Sequence, residues 1–173
     1  MDAATLPSVE TVWQWLGEVP DPEIPVISVV DLGIVRDVSY DGDTLVVAVT
    51  PTYSGCPATS MIDLDIEAAL RGHGVENIRL ERRLSPPWTS DWIGPEAREK
   101  LRAYGIAPPV DGTAADGRLA RRAERLSGGN AAIHCPRCGS PATEKVSQFG
   151  STPCKASYRC TECLEPFDYF KCI

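Results

Sequence analysis

The chain has 173 residues, 43% apolar and 24% charged, with a net charge of -7, the profile of a water-soluble protein with room for one ordinary domain and a smaller one. No apolar run is long enough to cross a bilayer, and the acidity is uneven: residues 1–90 carry 5 Lys and Arg against 14 Asp and Glu, residues 91–134 carry 7 against 6, and the remainder 5 against 4. An acidic front repels phosphate backbones, so no nucleic acid is expected as a partner, and no membrane.

The opening stretch MDAATLPSVETVWQW lacks the basic and apolar regions of a secretory leader, and a cytoplasmic location, where thiols stay reduced, is expected. Val9, Val12, Trp13 and Leu16 recur at helical spacing, which predicts a helix starting near Ser8 and stopped by the prolines of PDPEIP. IVRDVSY and DTLVVAVT read as two strands joined at Asp41-Gly42, since a tight hairpin needs positive φ at its turn. The second strand is apolar on both faces and is expected at the centre of its sheet. CPATSMIDLDIEAALRG follows as a helix with a stripe of Ile62, Ile66, Ala69 and Leu70, and VENIRLERRL as a strand. The fold class is therefore α+β: helix, strand, strand, helix, strand.

Pro95 and Gly105 bracket a further helix in which Ala97, Leu101 and Tyr104 share a face, and Trp88 and Trp92 are expected to cover the sheet or this helix. Residues 107–133 are rich in Ala, Gly, Pro and Asp and are expected to be a linker. The predicted division is thus an α/β domain with a helical extension over 1–106, a linker over 107–133 and a small module over 134–173.

That module holds six of the seven cysteines. Cys135 and Cys138 form one C-x-x-C, Cys160 and Cys163 a second, and two such turns facing each other complete a tetrahedral four-sulfur site. TEKVSQF, KASYRC and PFDYF would supply three strands. So short a module cannot bury enough apolar surface to fold unaided, whereas a structural zinc ion contributes on the order of 10–16 kcal/mol of apparent binding energy. A zinc ribbon is the preferred reading; rubredoxin-like iron, an iron-sulfur cluster and thiol redox chemistry are the alternatives. Cys154 and Cys172 exceed a four-ligand site and are expected to be partly buried thiols, with a second metal, ligand exchange or mutual pairing as alternatives. His134 is expected at the surface and His73 in a turn.

Cys56 stands where the second strand gives way to its helix. At the N-cap its sulfur would feel the positive end of the helix dipole, worth about 0.3–1 kcal/mol. The nearest histidine in sequence, His73, lies at the other end of that helix, so Cys56 suits metal binding or thiol exchange better than acyl transfer, and an inert capping thiol has equal standing. Asp21, Glu23 and Asp31 are expected to shape turns; should they approach Cys56, a transient metal site becomes possible.

DPEIPVISVVDLGIVRDV and VTPTYSGCPATSMI together resemble the small α/β domain of SufT-like and cytosolic iron-sulfur assembly factors. With SPPWTSDWI and the cysteine tail added, the chain resembles the PaaD (PaaJ) family, accessory subunits of the bacterial phenylacetyl-CoA ring-1,2-epoxidase system. The resemblance implies a role in phenylacetate catabolism beside a di-iron oxygenase and an iron-sulfur reductase, maturing or maintaining their centres without itself being the oxygenase. It implies Cys135, Cys138, Cys160 and Cys163 as tail ligands for structural zinc. It also implies Cys56, Asp21 and Glu23 as the residues that would handle iron or a cluster transiently. The implied partners are the oxygenase and reductase subunits, with the iron-sulfur assembly machinery as a further one. The residues agree on what the chain is not: neither His73 nor His134 has Glu three positions before it, as a di-iron helix motif requires, and no G-x-G-x-x-G follows a strand.

Overall fold

The protein is described by a computed structural model covering residues 6–53, 55–110 and 132–171. It divides into two compact units, 1–88 and 89–173. The first begins with helix α1, Val9–Gly17, whose N-cap Ser8 accepts a hydrogen bond from the backbone N–H of Thr11. That cap satisfies one of the donors a helix start leaves without a partner. Strands β1 (Val35–Asp41) and β2 (Thr44–Val49) then form an antiparallel hairpin in which Asp41 pairs with Thr44. The two-residue loop is Gly42-Asp43, one position later than the sequence suggested, with Gly42 at a φ of +63°. Glycine takes this first loop position because it tolerates positive φ without steric cost.

Helix α2, Thr59–Gly72, carries the chain over to strand β3, Ile78–Arg82, which lies parallel to β2. A parallel pair needs such a crossover. The order β1-β2-β3 puts β2 in the middle, and its residues Leu45 to Val49 are all buried, as the two-sided apolar pattern predicts. Val12 and Leu16 of α1 and Ile62, Ile66 and Leu70 of α2 complete the core. Trp88 is buried, and its indole N–H donates to the Leu32 carbonyl at 2.8 Å.

The second unit opens with a 3-10 turn at Ser90–Trp92 and helix α3, Pro95–Tyr104, which ends on Gly105 in the left-handed conformation. Ala97 and Leu101 are buried as expected, but Tyr104 is 52% exposed. Strand β4, Ile106–Ala107, follows directly and pairs in parallel with the last strand of the ribbon. The ribbon strands are β5 (Thr143–Ser147), β6 (Lys155–Cys160) and β7 (Pro166–Phe170), giving one sheet in the order β4-β7-β6-β5. α3 and β4 therefore belong with the ribbon, not with the first domain through residue 106. The reason is β4: it is a fourth strand that no two-residue sequence pattern announces. Ala107 joins Ala156, Tyr158, Phe167 and Tyr169 in a buried cluster with Cys135 and Cys160, so the ribbon has an apolar core beside its cysteines. Of the expected linker, residues 111–131 lie outside the described residues.

Replacing Trp88 with Phe keeps one aromatic ring but removes the pyrrole half of the indole and leaves the Leu32 carbonyl without this donor. Denaturant unfolding is expected to show a loss of about 1–3 kcal/mol, the range for a buried polar group stripped of its partner.

Candidate metal centre

The two C-x-x-C turns are built alike. In the first, Cys135 donates its N–H to the Ser140 carbonyl and accepts from the N–H of Gly139. In the second, Cys160 donates to the Glu165 carbonyl and its sulfur faces the N–H of Cys163 at 3.5 Å. Each turn needs a left-handed residue straight after its second cysteine: Gly139 at a φ of +75° and Leu164 at +64°. Strand β6 runs into the second turn and β7 leaves it, and β5 follows the first.

The turns meet through their sulfurs. Cys135 Sγ lies 3.7 Å from Cys163 Sγ, Cys138 Sγ lies 3.6 Å from Cys160 Sγ, and all four fall within 4.8 Å of one another. Sulfurs at tetrahedral corners about 2.3 Å from a common ion would stand roughly 3.8 Å apart, so the spacing fits one shared metal. Among the described residues this is the only group of three or more Cys, His, Asp or Glu side chains converging in this way.

Protonation follows from the backbone and the crowding. Cys160 is pulled down to about 7, first by the N–H of Cys163 and then by that of Glu162. Cys163 has the help of the Glu165 N–H, yet desolvation and the sulfurs of Cys138, Cys160 and Cys135 push it up to about 12. Cys138, beside the N–H of Ser140, is likewise raised by desolvation and by its neighbouring thiols. One thiolate forms readily and the next are resisted by the negative charge already present, a conflict that a cation removes.

The remaining site residues are placed apart from this group. Cys154 is buried with its sulfur 3.1 Å from Thr152 Oγ1, and Cys172 lies outside the described residues. His134 is exposed, with Nδ1 2.9 Å from the Gly139 carbonyl. His73 is the C-cap of α2, stacked on Trp15 with ring centroids 4.1 Å apart.

Cys56 is half-buried, and it is not the N-cap. That position falls to Ala58, with α2 starting at Thr59. The Cys56 carbonyl accepts from the N–H and the hydroxyl of Thr59, so the residue shapes the approach to the helix with its backbone, two residues before the N-cap and too early to gain the full dipole field. Asp21 is buried, and its Oδ1 accepts from the N–H groups of Glu23 and Ile24 at 2.9 and 2.8 Å. Ser28 and Asp31 bond reciprocally, each side chain accepting from the other's N–H. These carboxylates hold the packed loop in shape, and Asp21, Glu23 and Asp31 do not converge with Cys56 into a three-ligand group. The loop still approaches the exit of β2, where the Thr50 N–H donates to the Ile34 carbonyl at 2.8 Å. Leu164 is the functional position that sequence reasoning missed. The signal was its register with Gly139, one residue after the second cysteine of each pair.

Comparison with known proteins gives the same two parts. Residues 9–80 match the family model described as an iron-sulfur cluster assembly protein, and residues 120–171 match the PaaD zinc beta ribbon domain. A relative from Escherichia coli K12, named as one of the subunits of 1,2-phenylacetyl-CoA epoxidase, is 47% identical over 167 residues, covering 96% of this chain and 94% of that one. The chain belongs to the PaaD family. Among solved structures, this PaaD-family chain is similar to a DUF59 domain of unknown function from Bacillus anthracis, 29% identical with a TM-score of 0.50, over 53% of this chain and 89% of that one. A conserved hypothetical protein from Thermotoga maritima aligns at 37% identity and a TM-score of 0.47, over 55% and 94%.

Two outcomes are expected at this centre. Ultraviolet titration of the metal-free protein should show a first thiolate of the group near pH 7 and the last near pH 12. Metal affinity, measured by chelator competition, should accordingly fall as the pH drops from about 12, and more steeply below about 7, where protons compete for the Cys160 sulfur as well. Leu164 is 58% exposed, so little packing is lost with its side chain, while its left-handed backbone costs an L-residue about 1–2 kcal/mol. Leu164→Gly is expected to raise the stability of the second unit by up to about 1 kcal/mol, part of the gain being offset by the freer unfolded chain; denaturant unfolding of the metal-loaded protein measures it.

Proposed function

We propose that this chain is a cytoplasmic, non-catalytic accessory subunit of the phenylacetyl-CoA ring-1,2-epoxidase system in phenylacetate catabolism, one that matures or maintains the iron or iron-sulfur centres of the oxygenase and reductase subunits. The observation that carries this reading is the pairing, in one chain, of an iron-sulfur assembly domain over residues 9–80 with a PaaD ribbon over residues 120–171. The relative that spans both parts bears the name of an epoxidase subunit.

In this reading Cys135, Cys138, Cys160 and Cys163 hold structural zinc. Four thiolates leave no open coordination position, which suits a structural ion and not a catalytic one. Cys56 is the thiol that takes and passes on iron or a cluster. A single half-buried sulfur on a turn can bind as one ligand among several supplied by a client or by the iron-sulfur assembly machinery. Asp21 acts by fixing the acidic loop, and Glu23, whose N–H Asp21 holds, is the carboxylate that would assist.

A second reading makes the chain an electron-transfer or structural component of the oxygenase, and the same four-sulfur donor set favours it, since rubredoxin-like iron takes the same ligands. Ferric thiolate absorbs visible light; a colourless protein with one zinc per chain excludes electron transfer through the ribbon.

Cys56→Ser, co-expressed with the oxygenase and reductase, is expected to keep its circular dichroism and thermal transition while lowering the iron content of the isolated oxygenase and reductase by elemental analysis. Unchanged client iron would remove the maturation role.

A further inference from the structure

Helix α2 has two apolar faces. Ile62, Ile66 and Leu70 are buried in the core of its own unit, whereas Met61 is 51% exposed, Leu64 is 62% exposed, and Ala68 is exposed beside them. Successive residues turn by about 100° around a helix, which places this second stripe nearly opposite the first. Single exposed apolar residues are ordinary. Here three follow the spacing i, i+3, i+7, the seam along which one helix packs on another, with Met61 and Ala68 at the a positions and Leu64 at d.

Charge identifies what such a seam would accept. The e and g positions between the seam residues are Asp65 and Glu67, both acidic; Arg71 holds the next d position, where the apolar seam ends, and its charge is met by Glu67 in a 3.8 Å pair. The surrounding unit offers little positive charge to a visitor: residues 1–90 hold 5 basic against 14 acidic side chains. Of those five arginines, Arg71, Arg79, Arg82 and Arg83 are already in ion pairs with Glu67, Asp41, Asp63 and Asp37. A second copy of this chain would bring Asp65 and Glu67 against their own kind, which opposes self-association through this face.

We propose that the outer face of α2, centred on Met61 and Leu64, docks an amphipathic helix of a partner protein whose apolar seam is flanked by Lys or Arg. Leu64 and Met61 supply the buried anchors, and Asp65 and Glu67 select for positive charge and raise the association rate. The face is independent of the metal chemistry proposed above, so a Cys56→Ser chain is expected to bind as the wild type does.

The probes are two synthetic three-heptad peptides with Leu at every a and d position and either Lys or Glu at every e and g position. Titration of the isotope-labelled full chain, followed by amide chemical shifts, should show the Lys peptide perturbing residues along α2 around Met61, Leu64 and Ala68, with binding that weakens as salt rises. The Glu peptide should not bind. Leu64→Ser is expected to weaken the Lys peptide by about tenfold or more, and the double variant Asp65→Lys, Glu67→Lys should transfer the preference to the Glu peptide. Leu64 is exposed and Asp65 and Glu67 are half-buried at the rim of the face, and unperturbed amides elsewhere would verify that the variants keep the fold. Equal binding of the two peptides, perturbation confined to another surface, no binding of the Lys peptide, or an unchanged preference after charge reversal would each overturn the proposal. So would self-association abolished by Leu64→Ser, or binding to anionic lipid vesicles abolished by it, since the occupant would then be a second copy or a lipid surface.

Discussion

Four sulfurs held within 4.8 Å of one another impose the condition on which the C-terminal unit depends. As thiols they can pack, but each thiolate formed raises the cost of the next. The backbone favours ionisation at Cys160 and the crowd opposes it at Cys163, so the arrangement is reconciled by a cation. Cys135 and Cys160 also belong to the buried cluster of Ala156, Tyr158, Phe167 and Tyr169. Ligand set and apolar core therefore share residues, and what fixes the sulfurs also fixes the ends of β6 and β7.

The N-terminal unit solves the same problem of ordering a short chain with polar side chains. A packed loop between α1 and β1 buries Ile24, Ile27, Val29 and Leu32, which strands backbone N–H and carbonyl groups away from water. Asp21 takes two of those N–H groups, Ser28 and Asp31 take one each, and the Trp88 indole reaches the Leu32 carbonyl. Each bond is worth only about 1 kcal/mol net, but a buried polar group left without one costs more. Acidic residues that look like metal ligands in a sequence are here required by the backbone they serve.

How much could be read from sequence follows the same physics. The convergence of the four tail cysteines is legible because two C-x-x-C pairs leave few chemical alternatives, and the central strand because Leu45 to Val49 is apolar on both faces. The hairpin loop came out one residue late, since Asp41-Gly42 and Gly42-Asp43 both place glycine where positive φ is needed and only pairing decides between them. Pro57 suits a first helical turn, which would make Cys56 the N-cap; the chain instead makes a separate turn there, closed by the Thr59 N–H and hydroxyl on the Cys56 carbonyl. The boundary between units was misplaced because Ile106–Ala107 is too short to show a strand period, and its partner on β7 lies some sixty positions along the chain. Long-range pairing of this kind is what local patterns cannot carry.

The two kinds of cysteine site differ in what they can give up. A closed set of four thiolates, each tied to a turn and two of them buried, would release an ion only by dismantling the sheet it terminates, so an ion held there would be part of the fold. A lone, half-buried sulfur such as Cys56 has the opposite character: it cannot retain an ion by itself, and any metal it meets stays only while other ligands are supplied. Transfer requires weak and incomplete ligation, while structural support requires the reverse. One site cannot meet both demands, and in this chain the two kinds of cysteine lie apart: Cys56 falls in the match to the iron-sulfur cluster assembly model over residues 9–80, and the four-cysteine group in the match to the PaaD zinc beta ribbon over residues 120–171.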